Sequence, residues 1–191
     1  MQGFLALALS LALSGAPFTQ AESASFVRKM LAIERLGAVR ATAPRLTAIT
    51  ERELNAYFRY DMRDQFPAGV TEPTITILGD GRVTASALVD LDAVREGQSS
   101  SGWLNPMRFL SGRVPVTASG VIESQRGTAR FLLDTVDVSG VPVPKSLLQQ
   151  VLSFYSRSPE NPQGLNLDDA IELPSRIREI RVEPGQAIVV Q

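Results

Sequence analysis

The sequence predicts an α+β fold in which an antiparallel sheet is combined with amphipathic helices. Between residues 74 and 140, several runs alternate apolar and polar residues, which is the pattern of strands with one buried face. Turn residues such as Gly79-Asp80-Gly81 separate neighbouring runs and favour tight hairpins. The stretches with helical spacing do not alternate with the strands, which excludes a parallel sheet of βαβ units. We therefore expect about five to seven antiparallel strands.

The expected strands cover residues 74–78, 83–92, 114–123 and 129–140, and a last hairpin covers 177–191 with Pro184-Gly185 in its turn. Alternation places two sets of side chains on the inner face, and many of them are small. The sets are Val83, Ala85, Ala87, Val89 and Leu91 on one strand, and Val114, Val116, Ala118, Gly120 and Ile122 on the next. Small residues on an inner face indicate either close packing or room for an apolar ligand.

The first helical stretch lies at residues 24–41, where Phe26, Met30 and Ile33 recur at helical spacing. Between Glu22 and Arg45 basic residues outnumber acidic ones. A basic amphipathic helix can lie on an anionic membrane surface, which would be a peripheral membrane contact. The same charge run is also typical of an ordinary solvated helix face.

The second helical stretch, residues 49–66, carries clear end signals. Thr50 and Glu53 form the T-x-x-E pattern of a capping box, and Pro67 ends the helix. Ile49 before the cap and Leu54 after it predict a hydrophobic staple. We expect Leu54, Tyr57, Phe58 and Met62 on the apolar face, with Arg59, Arg63 and Asp64 in solvent.

A third helix is predicted directly after a pair of prolines. Pro142 cannot donate to a strand ladder, so the strand ends near it. Pro144 suits the first turn of a helix. A wide apolar stripe then follows over 145–156, formed by Leu147, Leu148, Val151, Leu152 and Tyr155. We interpret the prolines as a corner that lays this helix across the inner face of the sheet.

The N-terminus is typical of a targeting segment. Residues 4–16, FLALALSLALSGA, are apolar and uncharged, and Thr19 and Ala21 follow at small-residue spacing. The interpretation is a signal peptide, residues 1–21, cleaved after Ala21 to leave one domain, residues 22–191, in the periplasm or outside the cell. The alternative is an N-terminal anchor or buried helix, although the run is short for a spanning helix.

Composition excludes several function classes. The 191 residues include no cysteine and no histidine, so disulfides, Cys/His metal sites and Ser-His-Asp triads cannot form. A net charge of −1 gives no general reason to expect nucleic acid. Asp90 and Asp92 are expected to start a turn, and Asp168 to cap a short helix. We therefore expect no cofactor, no metal and no enzymatic activity.

The order of four motifs resembles bacterial single-domain members of the tubular lipid-binding (TULIP-like) group, similar to YpmS-like and mannosyltransferase-activator-like families. The motifs are ITERELNAYF (49–58), LSGRVPVTASG (110–120), VSGVPVPKSLLQQVL (138–152) and LPSRIREIRVEPGQAIVV (173–190). The resemblance implies a long curved antiparallel sheet wrapped around one or two amphipathic helices. It also implies an apolar groove that binds lipid without catalysis.

The segment 93–110 breaks the strand pattern. A polar run, Gln98-Ser99-Ser100-Ser101-Gly102, precedes a cluster that contains Trp103, Leu104, Met107, Phe109 and Leu110. Such an aromatic tip on a flexible stretch could gate a groove or dip into a membrane interface. It could equally fold back and cover one end of the core.

The function predicted from these observations is an exported, non-enzymatic protein that binds lipid or another apolar small molecule in a groove, in envelope lipid transport or maintenance. The alternative is an envelope interaction or scaffold module with a filled core, which docks to a membrane enzyme or assembly complex through the 103–110 cluster. The protein partner is unknown. The predicted ligand-binding residues are Leu54, Tyr57, Phe58, Trp103, Met107, Phe109, Leu147, Leu148, Val151, Leu152 and Tyr155.

Overall fold

The computed structural model of the chain describes residues 17–39, 43–96, 112–155, 157, 161–164 and 166–191. At 94–96, 151, 152, 154 and 155 it describes the backbone alone. The helices are α1 (Gln20–Gly37), α2 (Glu51–Tyr60), α3 (Leu91–Glu96) and α4 (Lys145–Tyr155), with a 3₁₀ turn at Arg63–Gln65. The strands are β1 (Leu46–Thr50), β2 (Val70–Gly79), β3 (Arg82–Asp90), β4 (Arg113–Gln125), β5 (Thr128–Val138), β6 (Val141–Pro142), β7 (Ile171–Glu172), β8 (Glu179–Glu183) and β9 (Gln186–Val190).

These strands form two antiparallel sheets. The large sheet has the order β2-β3-β4-β5-β6, with β7 also pairing with β5, and it is not closed. The small sheet has the order β1-β9-β8. The predicted α+β class with a large antiparallel sheet is therefore confirmed.

The small sheet corrects one expectation. The hairpin at 177–191 forms as predicted, but it pairs with β1, a strand that the sequence analysis did not predict. β1 is five residues long and passes directly into α2 at Glu51. Ile49 precedes the cap of the helix, as predicted, and it also pairs with Ala187 of β9.

Both N-terminal helices begin with a capping box. In α2 the Thr50 hydroxyl accepts from the Glu53 backbone N–H, and the Glu53 carboxylate accepts from the Thr50 backbone N–H, as predicted. In α1 Thr19 and Glu22 repeat the arrangement, so the helix begins earlier than residue 24. The expectation that α2 reaches Pro67 is wrong, since the helix ends at Tyr60. The Asp61 carboxylate accepts from the Ser23 hydroxyl of α1, which directs the chain toward that helix.

The core lies between α1, α2 and the small sheet. Phe26, Ile33, Ile49, Ile177 and Val189 form a buried cluster, and Leu54, Tyr57, Leu173 and Ile180 pack against it. Ile49 and Leu54 join the same cluster, which agrees with the predicted staple. Burial of each such side chain is worth about 1.5–3 kcal/mol, so this cluster fixes how the helices sit on the small sheet.

Asn55 and Glu51 of α2 cover the free edge of the large sheet. The Asn55 side chain donates to the Ile75 carbonyl and accepts from the Ile75 N–H, both at 2.7 Å. The Glu51 carboxylate accepts from the Ile77 N–H at 2.7 Å. In the β8–β9 turn, the Gly185 N–H donates to the Ile77 carbonyl at 2.8 Å. The outward main-chain groups of Ile75 and Ile77 are thus satisfied by side chains and a turn, and the two sheets are joined there.

The third predicted helix is α4, which begins after Pro144. The Pro144 carbonyl accepts from the Leu147 N–H at 3.0 Å, which opens the first helical turn. α4 packs against β5. Across the described part of the chain, no helix combines the length and the apolar character needed to span a membrane.

Candidate functional site

One face of the large sheet is apolar across four strands. Residues that pair directly in an antiparallel ladder point to the same side of the sheet. The pairs Val83–Gly120, Ala85–Ala118, Ala87–Val116 and Val89–Val114 therefore place these members of the two predicted inner sets on one face, as expected. Leu91 was predicted on the same strand, but it is the first residue of α3. At the paired positions of β2 to β5, this face carries apolar residues and Gly120, with Ser124 as the exception. We call it the apolar face.

The opposite face of the same sheet is rich in hydroxyl groups. The Thr84 and Ser119 hydroxyls lie 2.9 Å apart on neighbouring strands, and Thr76 on the edge strand is exposed. A sheet with one polar and one apolar face must cover the apolar face or leave it for a partner.

One half of the apolar face is packed. Ile77, Gly120 and Ala129 are buried there, where β8 lies against β2, β4 and β5. The Ser124 hydroxyl accepts from the Ile180 N–H at 2.6 Å and donates to the Ile180 carbonyl at 2.9 Å, so it pairs the outer edge of β8. Ser124, the exception to the apolar pattern, is thus a partly buried residue that hydrogen-bonds to β8.

Gly120 lacks a side chain because the space is filled. A β-carbon at this position would lie 2.6 Å from the Phe131 ring and 2.5 Å from the Leu132 carbonyl oxygen. At Gly120, therefore, close packing is the correct explanation of the small residue, and no space is left for a ligand.

The other half of the apolar face is open. Ala85 is exposed although Ile75 and Ala118 pair with it on either side. Val141 on the short edge strand is 63% exposed. Val136, which pairs with Ala118 on the same face, is buried, but the other neighbouring side chains are only half-buried. The exposed and half-buried residues form what we call the open half: Ala85, Ala87, Val89, Val114, Val116, Ala118, Val138 and Val141.

Helix α4 is fastened beside this sheet by polar contacts. The Lys145 ammonium lies 2.5 Å from the Asp168 carboxylate, and the Leu167 N–H donates to the Gln149 side chain at 2.8 Å. Gly164 lies so close to the Ser153 carbonyl that a β-carbon at this position would clash with it. Gly164 and Leu167 therefore lie close against α4. The expectation that Asp168 caps a helix is wrong, because it pairs with Lys145 in a turn.

The predicted ligand-binding residues on α2 lie in the packed part of the molecule. Leu54 packs against the core cluster, and the Tyr57 ring stacks on Phe26 with centroids 4.5 Å apart. Phe58 meets Phe66 edge-on at 5.6 Å. The described contacts of α2 are with α1, β1, β2 and the 3₁₀ turn, whereas α4 contacts β5. Among the described side chains, the structure therefore does not bring these three residues together with Leu147 and Leu148 of α4.

On α4, Leu147 is 50% exposed and Leu148 is half-buried. The side chains of Val151, Leu152 and Tyr155 lie outside the described part of the structure, as do residues Trp103, Met107 and Phe109. Their assignment to a ligand site stays a prediction.

Two surface pockets lie away from the open half. One, of about 310 Å³, runs beside α1 and is lined by apolar side chains that include Met30, Leu31 and Tyr57. The other, of about 800 Å³, has Leu46 and Val190 beside three arginines, Arg126, Arg178 and Arg181. Arg181 is paired with Glu179, with both contacts at 3.1 Å, so part of that basic charge is neutralised.

Several carboxylates of the described chain have structural partners. Asp90 accepts from the Asp92 and Ala93 N–H groups at the start of α3, as expected for a turn. Both hydrogen bonds lower the pKa of Asp90, and the bond from the Ala93 N–H has the larger effect. Among the described residues, no group of three or more carboxylate, thiol or imidazole side chains is placed to hold a metal ion.

Glu53 has the most perturbed carboxylate. Burial by itself would raise its pKa, but hydrogen bonds from Lys29, Ser25 and the Thr50 backbone outweigh burial and lower the pKa to about 2. Lys29 and Ser25 belong to α1 and each lies 2.7 Å from the carboxylate. Glu53 is therefore a buried link between the two helices, and it faces no open cleft.

Alternation places the residues of the open half on the predicted inner face, except Val138 and Val141 of the next strands. The small residues Ala85, Ala87 and Ala118 indicate either close packing or room for an apolar ligand, so the inner strand faces are among the surfaces expected to contact acyl chains. The individually named ligand-binding residues, however, lie on the helices and in the 103–110 cluster. Alternation identifies the face, whereas its exposure depends on which elements end short of it.

Comparison of the chain with models of protein families, with curated proteins and with solved structures finds no significant match.

Proposed function

We propose that the chain is an exported, non-enzymatic protein that binds lipid or another apolar small molecule on the open half of the apolar face. The observation that carries this proposal is the exposure of Ala85 in the middle of an apolar, charge-free surface. A contiguous exposed apolar patch is usually an interaction site, because leaving it in water is unfavourable. Periplasmic or secreted localisation is part of the proposal and rests on the apolar N-terminal run.

The shape of the surface favours an extended ligand. Ala85, Ala87 and Ala118 are small, so they fill little of the space above this part of the sheet. Each methylene group that a ligand buries there contributes about 0.8 kcal/mol, so an acyl chain could bind without a polar anchor. No charged residue stands at the paired positions of this face, so the face is suited to binding the apolar part of the ligand.

The alternative function is an envelope interaction module. The packing at Gly120 favours the interaction module in part. The Phe131 ring lies against Gly120, so side chains of the protein itself fill this part of the face. The exposed Ala85 and Val141 favour the ligand-binding proposal, since a filled face would bury them.

The test is native mass spectrometry of the full-length chain, purified from its own cells through a tag placed after Gln191. The proposal predicts a co-purifying lipid of defined stoichiometry, released on denaturation and identified by extraction. A second arm measures uptake of a fluorescent fatty acid and of phospholipid by protein that has been stripped of lipid.

A ligand-free mass together with no uptake of either probe would overturn the proposal and favour the interaction module. Retention of lipid by a variant whose open half is filled, Ala85→Leu with Ala118→Leu, would place the site elsewhere. The pocket beside α1 would then be the next surface to test, through Met30→Glu.

A further inference from the structure

The residues around the predicted cleavage site are part of the folded domain. Thr19 is the N-cap of α1, and its hydroxyl accepts from the Glu22 N–H at 3.3 Å. The Glu22 carboxylate accepts from the Thr19 N–H at 2.8 Å. A cut after Ala21 would remove Thr19, one partner of this capping box, and the first two residues of the helix, Gln20 and Ala21.

Arg52 of α2 holds the same stretch from the other side. Its guanidinium lies 2.6 Å from the Glu22 carboxylate, donates to the Pro17 carbonyl at 3.2 Å and lies over the Phe18 ring at 5.5 Å. One side chain thus contacts residues on both sides of the predicted cut. A cation–π contact at a partly exposed site is worth about 0.5–1 kcal/mol, in addition to the hydrogen bonds.

Tyr60 and Asp61, at the end of α2, complete the attachment. The Tyr60 hydroxyl donates to the Phe18 carbonyl at 2.8 Å. The Ser23 hydroxyl, on a residue that is only 2% exposed, donates to the Asp61 carboxylate. Residues 17–23 are therefore fixed along the whole length of α2, from Arg52 near its start to Asp61 at its end.

A cut after Ala21 would also introduce an unfavourable charge. The new α-ammonium group of Glu22 would lie at the N-terminus of α1, where the helix dipole is already positive. It would also lie beside the Arg52 guanidinium, which pairs with Glu22. The negative charge of Glu22, which now stabilises both the helix end and Arg52, would be shared with a third positive group.

We infer that residues 17–22 stay with the domain in the mature protein, so that any processing cut lies N-terminal to Pro17 and not after Ala21. The inference concerns the boundary of the domain and does not depend on the ligand. In this inference Pro17–Ser23 is a segment that docks against α2. The small-residue spacing of Thr19 and Ala21, taken alone, predicts a cleavage site at the same place. Thr19 is small because it caps a helix.

The test is the N-terminus of the mature protein, read by intact and peptide mass spectrometry of the full chain recovered from its own cells through the tag after Gln191. We expect an N-terminus at or before Pro17. An N-terminus anywhere from Phe18 onward, Glu22 in particular, would overturn the inference.

A matched variant removes the predicted cleavage signal without disturbing the fold. Ala21 is exposed on α1, so Ala21→Leu places a bulky residue at the presumed recognition position while keeping good helix propensity. We expect Ala21→Leu to have the same N-terminus as the natural chain. A changed or blocked N-terminus in this variant would show that processing occurs after Ala21.

Discussion

Asn55 forms two hydrogen bonds with the main chain of a single residue, Ile75, and so takes the place of a neighbouring strand at the edge of the large sheet. Asn55 is 4% exposed, so water cannot replace these bonds. The contact links α2, which belongs to the packed core, to the strand that begins the apolar face. It therefore couples the stability of the core to the position of the sheet.

Replacement of Asn55 by leucine is expected to destabilise the protein by about 2–4 kcal/mol, because two buried main-chain groups of Ile75 lose their partners. The measurement is the free energy of unfolding from denaturant titration. Arg59→Ala, at an exposed position of the same helix, is the control and should change the value by less than about 0.5 kcal/mol. Equal stability of Asn55→Leu and the natural chain would contradict the role assigned to this contact.

Glu53 is expected to make the protein acid-sensitive. Its pKa in the folded protein, about 2, lies below the ordinary value of 4.5. The stability that this carboxylate contributes is therefore fully present above pH 4.5 and is lost as the pH falls through that value toward 2.

The variant Glu53→Gln should show a weaker dependence of its unfolding free energy on pH across this window than the natural chain. At neutral pH it should be less stable by about 1–3 kcal/mol, since Lys29 loses its charged partner. Denaturant titrations at several pH values, performed on both proteins, measure the two slopes. Parallel slopes would mean that another group is responsible for the acid sensitivity.

Gly120 and Ala85 lie on one face but should respond in opposite ways to added volume. Gly120→Ala places a methyl group against the Phe131 ring and the Leu132 carbonyl, and we expect a loss of about 1–3 kcal/mol. Ala85→Val adds two methyl groups at an exposed position and should change stability by less than about 0.5 kcal/mol. Thermal unfolding of both variants provides the comparison. Strong destabilisation by Ala85→Val would mean that the open half is filled.

Helix α4 is expected to exchange its amide protons faster than α2. α2 packs against α1, β1 and β2, whereas α4 contacts β5 and leaves Leu147 half exposed. Local opening should therefore cost less free energy for α4. Hydrogen–deuterium exchange measured by mass spectrometry checks this expectation, with peptides of α2 as the internal reference. Equal protection of the two helices would contradict it.

The sequence predicted the fold class because its signals are local. The Thr50 and Glu53 pattern, the Gly79-Asp80-Gly81 turn and the paired prolines before α4 each act within a few residues, and each helix or hairpin formed where they indicated. The short strand β1 was missed because its partner is the far end of the chain, and no local pattern specifies that pairing.

The candidate site was predicted less well, for a similar reason. Leu54 and Tyr57 have the apolar character expected of ligand-binding residues, and long-range packing places them against the core cluster, where Tyr57 also lines the pocket beside α1. Ala85 has little apolar surface of its own and becomes significant only because its surroundings leave it uncovered. Exposure of a face is set by where β8 and α2 end, and periodicity along one strand does not contain that information.

The most direct test of ligand binding on the open half is a titration of delipidated protein with a fluorescent fatty acid, using two charge variants. Ala85→Glu places a carboxylate on the apolar face, and Thr76→Glu places one at an exposed position on the opposite face of the same sheet. We predict that Ala85→Glu weakens binding at least about tenfold, because ligand binding would then bury an unpaired charge. Thr76→Glu should bind as the natural chain does. Equal binding by all three proteins would contradict a site on the open half.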